Sequence, residues 1–309
     1  MVAARMNPTT AAAVGSGSHR RWLIIAPPLL FLLVFFLIPF GFALAISFAQ
    51  TAIRVPPYTD VLSIDHGHLH LLLKLDNYRY LLTDPVYVLS YLYSLKTAFF
   101  STLICLVVGY PMAYAIARTS RGTQAVLLLV IILPFWTSFL LRVYALEGVI
   151  REHGLLNQAL QWLGLIRQPL KIMHTNTAVY IGIVYSYLPF MVLPLFATLE
   201  KLDRSLLEAS ADLGSPPWRA FLDVTLPLSM PGVIAGSMLV FIPAIGEFVI
   251  PTLLGGADNL MIGRVLWDEF FGNRDWPVAS AVAVVFLVLL VGPIALYQHY
   301  QSKDLEGHA

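Results

Sequence analysis

The chain has little charge and almost no cysteine. Of its 309 residues, 12% are Asp, Glu, Lys or Arg, and the formal net charge is +1. No basic block interrupts it, so the electrostatic footprint of a nucleic-acid binder is missing. The one cysteine, Cys105, lies inside an apolar run; this excludes an internal disulfide, leaves no thiolate cluster for a metal, and reads as a small packing residue. There is no G-x-x-x-x-G-K-[S/T] loop to cradle phosphates, so the polypeptide is not expected to hydrolyse ATP itself. No paired His, Asp or Ser constellation occurs inside the apolar segments, which argues against an embedded enzyme.

Apolar residues are what the chain has in excess. They make up 58% of it, with a mean hydropathy of +0.75, a composition that does not suit a water-facing surface. A bilayer core needs about 20 mostly apolar residues per helix. Six runs meet that length, at roughly 22–48, 91–117, 125–146, 178–199, 232–254 and 277–299. The expectation is an all-α membrane protein of six transmembrane helices. The first run follows His19-Arg20-Arg21 and is too long for a signal-peptide core, so it is read as a retained span. Residues 1–21 are expected to form a disordered tail, 22–300 the membrane domain and 301–309 a second tail.

Six spans put both termini on one side. Basic residues divide almost evenly between the sides, but the shortest loop, 117–124, holds Arg118 and Arg121 and no acid, which favours cytoplasmic termini. Segments 49–90, 147–177 and 255–276 are then external and long enough for short helices. Pro134, Pro189, Pro194, Pro243 and Pro251 lie inside spans. Each removes a backbone donor that lipid cannot replace, a texture common in transporters and also met in helices that are merely kinked.

One polar stretch stands out between the fourth and fifth runs, Glu208 to Leu228, EASADLGSPPWRAFLDVTLPL. Leu202, Leu206, Leu207, Ala211 and Leu213 recur at helical spacing, with Lys201, Arg204, Glu208 and Asp212 elsewhere. Gly214 supplies a stop, and Ser215-Pro216-Pro217 starts a new element. Glu208-Ala209-Ser210, Gly214 and Val224-x-Leu226-Pro227 resemble the E-A-A, G, I-x-L-P signature of ABC-importer permeases, departing from it mildly at Ser210 and Val224. The resemblance implies that 203–227 is the coupling segment, through which Glu208, Ala209, Ser210, Gly214, Leu226 and Pro227 engage a cytoplasmic ATPase.

Four further stretches, LDNYRYLL (75–82), SLKTAFFSTLICLVVGYPMAYAIAR (94–118), LPFWTSFLLRVYAL (133–146) and IGEFVIPTLLGG (245–256), are similar to the permeases of bacterial putrescine and spermidine importers, nearest to that of the putrescine importer. This implies a type I importer permease fold and an inner-membrane location. It also implies a heterodimer with a second permease, two cytoplasmic ATPase subunits that carry the ATP and Mg, and a periplasmic polyamine-binding protein. No cofactor is expected on this chain.

A polyamine carries ammonium groups, so its path should offer carboxylates and aromatic faces. Glu247 is the one acid well inside a span. It could meet the passing ammonium, or serve as a structural hydrogen-bond acceptor or the ion-pair partner of Arg142 or of the second permease. Phe248, Tyr110, Tyr114, Trp136, Tyr144, Tyr185 and Tyr187 are candidate path residues, with interfacial belt or packing as the plainer reading of each. Asp268 and Glu269 in the last external segment could receive a cation or touch the binding protein, or be solvated loop acids. His66, His68 and His70 would share one side of an extended segment, and no carboxylate or cysteine constellation other than the adjacent Asp65 is there to complete a zinc site. The rival function is a stand-alone secondary transporter in which Glu247 binds a proton or sodium ion.

Overall fold

The computed structural model describes residues 17–65, 68–71 and 73–306. Within that range the chain is helical apart from one short hairpin, and it divides into two compact units: 1–80 with 274–309, and 81–273.

In the first unit, helix α1 runs through Trp22–Ser47, with a widened turn at Leu33–Leu37 and side chains exposed almost throughout. Residues 1–16 of the expected tail lie outside the described residues, whereas 17–21 already belong to the helix. Strands β1 (Leu62–Asp65) and β2 (His68–Leu71) pair antiparallel, so the segment 49–90 holds a hairpin as well as a helix, α2 (Asp76–Thr83). Asn77 ties α2 to the end of α1 by donating to the Ser47 and Ala49 carbonyls, both at 2.8 Å. Exposed Arg54 and Asp60 form a two-pronged ion pair, at 2.8 and 3.1 Å, which raises the guanidinium pKa and lowers that of the carboxyl. The chain's last helix, Trp276–Glu306, packs on the C-terminal half of α1.

The second unit is built on α3 (Pro85–Ala117). Its start is set by Asp84, which accepts from the Val86 N–H, and by Pro85 in the first turn, where a missing donor costs nothing. Then come α4 (Arg121–Ile132), α5 (Phe139–Ile150), α6 (Leu155–Trp162) and α7 (Asn176–Leu199), the last capped by Thr175 on the Ala178 N–H. After α8 (Arg204–Asp212), a long helix α9 occupies Pro217–Ile245, followed by α10 (Val249–Leu254) and α11 (Ile262–Trp267). Helices α3, α7 and α9 pack on one another around Cys105, Ala113, Met191, Val192, Leu195 and Val240, all fully or almost fully buried. In lipid, where tails are as apolar as leucine, this association rests on close packing rather than on escape from water. Phe99, Leu103, Val107 and Leu129 remain exposed, as a lipid-facing surface requires.

Among the described residues four helices are long and apolar enough to cross a bilayer unbroken: Trp22–Ser47, Pro85–Ala117, Asn176–Leu199 and Pro217–Ile245. Two expected spans differ from their sequence reading. The run 125–146 is not one helix: Arg121–Trp136 and Phe139–Trp162 meet at 99°. Pro134 removes the donor that would continue the ladder, a tight turn forms over Leu133–Trp136, and the Thr137 hydroxyl donates to the Pro134 carbonyl at 2.7 Å. The run 232–254 ends early, at Ile245, because the chain breaks over 246–248 before α10. At the sixth run, the described apolar portion is Trp276–Val291.

Candidate functional site: an exposed helical segment and a buried carboxylate

Helix α8 is closed at both ends by its own residues. Asp203 accepts from the Ser205 N–H at 3.0 Å, a bond that draws its carboxyl pKa below the usual range. At the other end Gly214 takes φ +78°, its N–H donates to the Ala211 carbonyl at 2.8 Å, and the Ser215 N–H reaches back to the Ser210 carbonyl at 3.0 Å. These two bonds are the Schellman pattern, which spends the orphan carbonyls of a helix end and requires a left-handed residue at the glycine position. The Ser210 carbonyl is thus part of the cap that ends α8. A β-carbon on Gly214 would meet no atom within 4 Å, so the demand for glycine there is conformational rather than steric.

The backbone is also irregular just before the second half of the signature. Pro227 has no N–H to donate, and just before it the ladder widens over Phe221–Thr225, the Leu226 N–H reaching the Phe221 carbonyl five residues back. Pro227 is exposed, Leu226 half-buried and Thr225 buried.

The expected apolar face is largely uncovered by this chain. Glu208, Ala209, Ala211 and Asp212 are exposed, Leu206 is 45% exposed and Leu213 88%; Trp218 and Leu222 just beyond are exposed as well. Arg219 lies over the Trp218 ring at 5.1 Å. Beside α8 is a cleft of about 500 Å³, lined among others by Thr198, Lys201, Asp203, Leu206 and Leu228.

Glu247 sits in the break between α9 and α10 and is 6% exposed. Its Oε1 accepts from the Val249 N–H at 2.9 Å and the Ile250 N–H at 3.3 Å, and its Oε2 accepts from the Tyr187 hydroxyl. The side chain therefore caps α10, and three donors satisfy a carboxylate whose burial would otherwise be costly. Among the described residues no salt bridge joins it to Arg142. Behind it, Gly263 lies so close to the Gly246 and Glu247 backbone that a β-carbon would fall 2.8 Å from the Gly246 carbonyl carbon and 2.9 Å from the Glu247 oxygen.

Of the candidate path residues, the structure brings Tyr187 to Glu247 and places Phe248 flat on Trp267, ring centroids 4.6 Å apart, with Trp267 in turn 4.2 Å from Phe271. Tyr110 is buried, exchanges a 2.8 Å hydrogen bond with Ser229 and meets Phe221 edge-on; Tyr114 carries the Arg118 guanidinium at 4.9 Å. Both belong with the α3–α7–α9 packing cluster rather than with Glu247. Trp136, Tyr144 and Tyr185 are exposed, at 82, 49 and 43%. Glu269 is bound by the Tyr87 hydroxyl and by Asn273, and Asp268 lies 3.9 Å from Arg264. His66 falls outside the described residues; His68 and His70 lie on β2, opposite Asp65 and Ser63.

Sequence reasoning missed Gly263, Trp267 and the surroundings of Arg142. The Arg142 guanidinium lies over the Phe135 and Phe139 rings, at 4.5 and 5.6 Å from their centroids, and its buried Nε has no hydrogen-bond partner. Nothing in the local sequence marks Gly263. An arginine three residues after a phenylalanine on a helix was a usable signal for the second contact.

Residues 100–303 match the family described as binding-protein-dependent transport system inner membrane component. The spermidine/putrescine transport system permease protein PotB of Escherichia coli (strain K12) is 45% identical over 226 residues, covering 73% of this chain and 82% of that protein. The protein of the same name from Haemophilus influenzae is 38% identical over 275 residues, covering 89% and 91%. A chain of a bacterial ABC transporter involved in the import of the acidic polysaccharide alginate superposes with a TM-score of 0.67 over 93% of this chain and 97% of its own, at 15% identity, and so shares the fold. With its broken helices, its capped exposed segment and these likenesses together, the chain belongs to the family of inner-membrane components of binding-protein-dependent transport systems.

Proposed function

We propose that this chain is the permease subunit of an ATP-driven importer of polyamines, putrescine and spermidine. It forms half of the translocation path and is coupled to a cytoplasmic ATPase through 208–227. The observation that carries the coupling is the segment itself: a short helix rigidly capped at both ends, with Leu206, Leu213, Trp218 and Leu222 left uncovered. An exposed apolar cluster rimmed by charge is what a protein interface requires. The 38–45% identity to spermidine/putrescine permeases supports the substrate class.

On this reading a second permease completes the path, two ATPase subunits hold the ATP and Mg, and a periplasmic protein delivers the polyamine. The termini and α8 face the cytoplasm. ATP-driven closure of the motor moves α8 as a rigid lever, because its caps leave it no soft end. The helix bundle opens outward, the cation enters past aromatic faces, and hydrolysis resets the assembly. The full set of donors on Glu247 supports the transporter reading over a lone ion-coupled carrier, since a carboxylate already bonded at both oxygens is poorly placed to bind a coupling ion.

The test is uptake of labelled putrescine and spermidine in cells lacking the gene, restored with the native chain or with Leu206→Asp/Leu213→Asp. Both leucines are exposed, so the variant should reach the membrane. The expected result is uptake with the native chain only, and loss of the copurifying ATPase from the variant. Uptake by both chains would remove the lever role; uptake of neither label, with all subunits present, would remove polyamines as the cargo.

A further inference from the structure

We propose that the faces of Phe135 and Phe139 form an ammonium subsite of the path, and that Arg142 is its occupant while the transporter is empty. The inference rests on the polyamine reading above. Its starting point is an arginine without the partners arginine normally finds. The guanidinium is charged at any accessible pH, yet among the described residues no carboxylate pairs with it, and its buried Nε donates to nothing. Two aromatic faces receive it instead, at 4.5 and 5.6 Å from the ring centroids. A half-buried guanidinium held by π-faces, with no carboxylate beside it, is weakly fixed, and the site that holds it accepts cations by chemistry rather than by shape.

The subsite is also adjustable. Phe135 lies in the tight turn Leu133–Trp136, whereas Phe139 and Arg142 lie on α5, beyond the 99° bend. The two walls therefore belong to different helical segments, and any change in the bend alters their spacing. The site is also connected. The Phe135 ring meets Phe190 edge-on at 5.0 Å, Phe190 lies 6.1 Å from Tyr187, and Tyr187 donates to Glu247. A primary ammonium that displaced Arg142 would thus sit at one end of an aromatic run whose other end is the buried carboxylate. While Arg142 stays in place, a tethered cation occupies the position and repels a second one. The empty path is closed to cations by the chain's own charge, and cargo is admitted when the bend moves.

Labelled putrescine binding to the assembled transporter in lipid nanodiscs, without ATP and without the binding protein, tests this. Arg142→Gln removes the occupant and should bind about tenfold more tightly than the native assembly, the scale of one good desolvated cation–π contact. Arg142→Lys keeps a cation and should stay near native. Adding Phe135→Leu to Arg142→Gln should abolish the gain. No gain in Arg142→Gln, or a gain that survives Phe135→Leu, overturns the proposal. Where Arg142→Gln does not assemble, Phe139→Leu carries the test: the KM for putrescine uptake should rise several-fold, with ATP hydrolysis in the absence of cargo undiminished. An unchanged KM, or a fall in both quantities together, overturns it. Native transporter that neither binds nor takes up putrescine would instead remove the functional reading; native transport with all variants matching it would remove only the subsite.

Discussion

Gly214 offers a perturbation whose outcome separates two explanations of one residue. Its φ of +78° is left-handed, and for most side chains that conformation costs about 1–2 kcal/mol. The space around it is empty: a β-carbon meets nothing within 4 Å. Replacing it with Ala therefore adds no clash in this chain but taxes the Schellman turn, and a penalty of that size cuts the population of the native turn by a factor of about 5–30 relative to its alternatives. Asn tolerates the left-handed region far better, although it is larger, and Val tolerates it worst. The expected order of coupling efficiency, measured as putrescine transported per ATP hydrolysed in proteoliposomes, is Gly, then Asn, then Ala, then Val. If instead the glycine is needed because a partner surface presses on it, size alone decides, and Ala will outperform Asn. That reversed order would refute the conformational account.

Other substitutions report on the buried carboxylate and the caps. Gly263→Ala places a β-carbon against the Gly246–Glu247 backbone and should lower the thermal stability of the purified assembly by about 1–3 kcal/mol, the usual cost of overpacking. Tyr187→Phe leaves Glu247 Oε2 without its hydroxyl donor and should cost about 1–3 kcal/mol in the same measurement. Glu247→Gln keeps an acceptor for the Val249 N–H and should preserve protein level in the membrane, whereas Glu247→Ala should lower it by loss of a cap of about 1 kcal/mol. If the carboxylate also meets the ammonium, Glu247→Gln raises the KM for uptake; an unchanged KM assigns it to structure alone. The Asp203 cap depends on ionised carboxyl, whose pKa is lowered in the folded chain by the Ser205 N–H. Its contribution is therefore complete above the ordinary carboxyl range and is lost only as pH falls below it, so coupling should show no cap-related change between pH 6 and 8.

The membrane class, the approximate places of the unbroken spans and the short capped helix before Gly214 were legible in the amino-acid order because each depends on short-range facts. An apolar run either matches the bilayer thickness or it does not. The helix Arg204–Asp212 is bounded by Asp203 and Gly214, residues within one turn of its ends. At 224–227 the local feature is a proline without a donor, just after a widened turn over Phe221–Thr225. Interior prolines announced breaks, but not which of them would turn the chain: Pro134 sits at a 99° bend, while Pro189 and Pro194 stay inside the continuous helix Asn176–Leu199.

What only the tertiary structure decided is what faces what. Glu247 could have met Arg142 or open space; its partner is Tyr187, sixty residues earlier on another helix, and the backbone of the break lies directly against Gly263. Tyr110 and Tyr187 look alike in sequence, yet one is bonded to Ser229 in a packed core and the other to the buried acid. Arg142 finds aromatic faces because a bend brings Phe135 beside its helix. Caps and span lengths are set by neighbours along the chain, so composition and spacing reveal them; the company of a buried charge is set by how helices from distant segments pack, which no local pattern encodes.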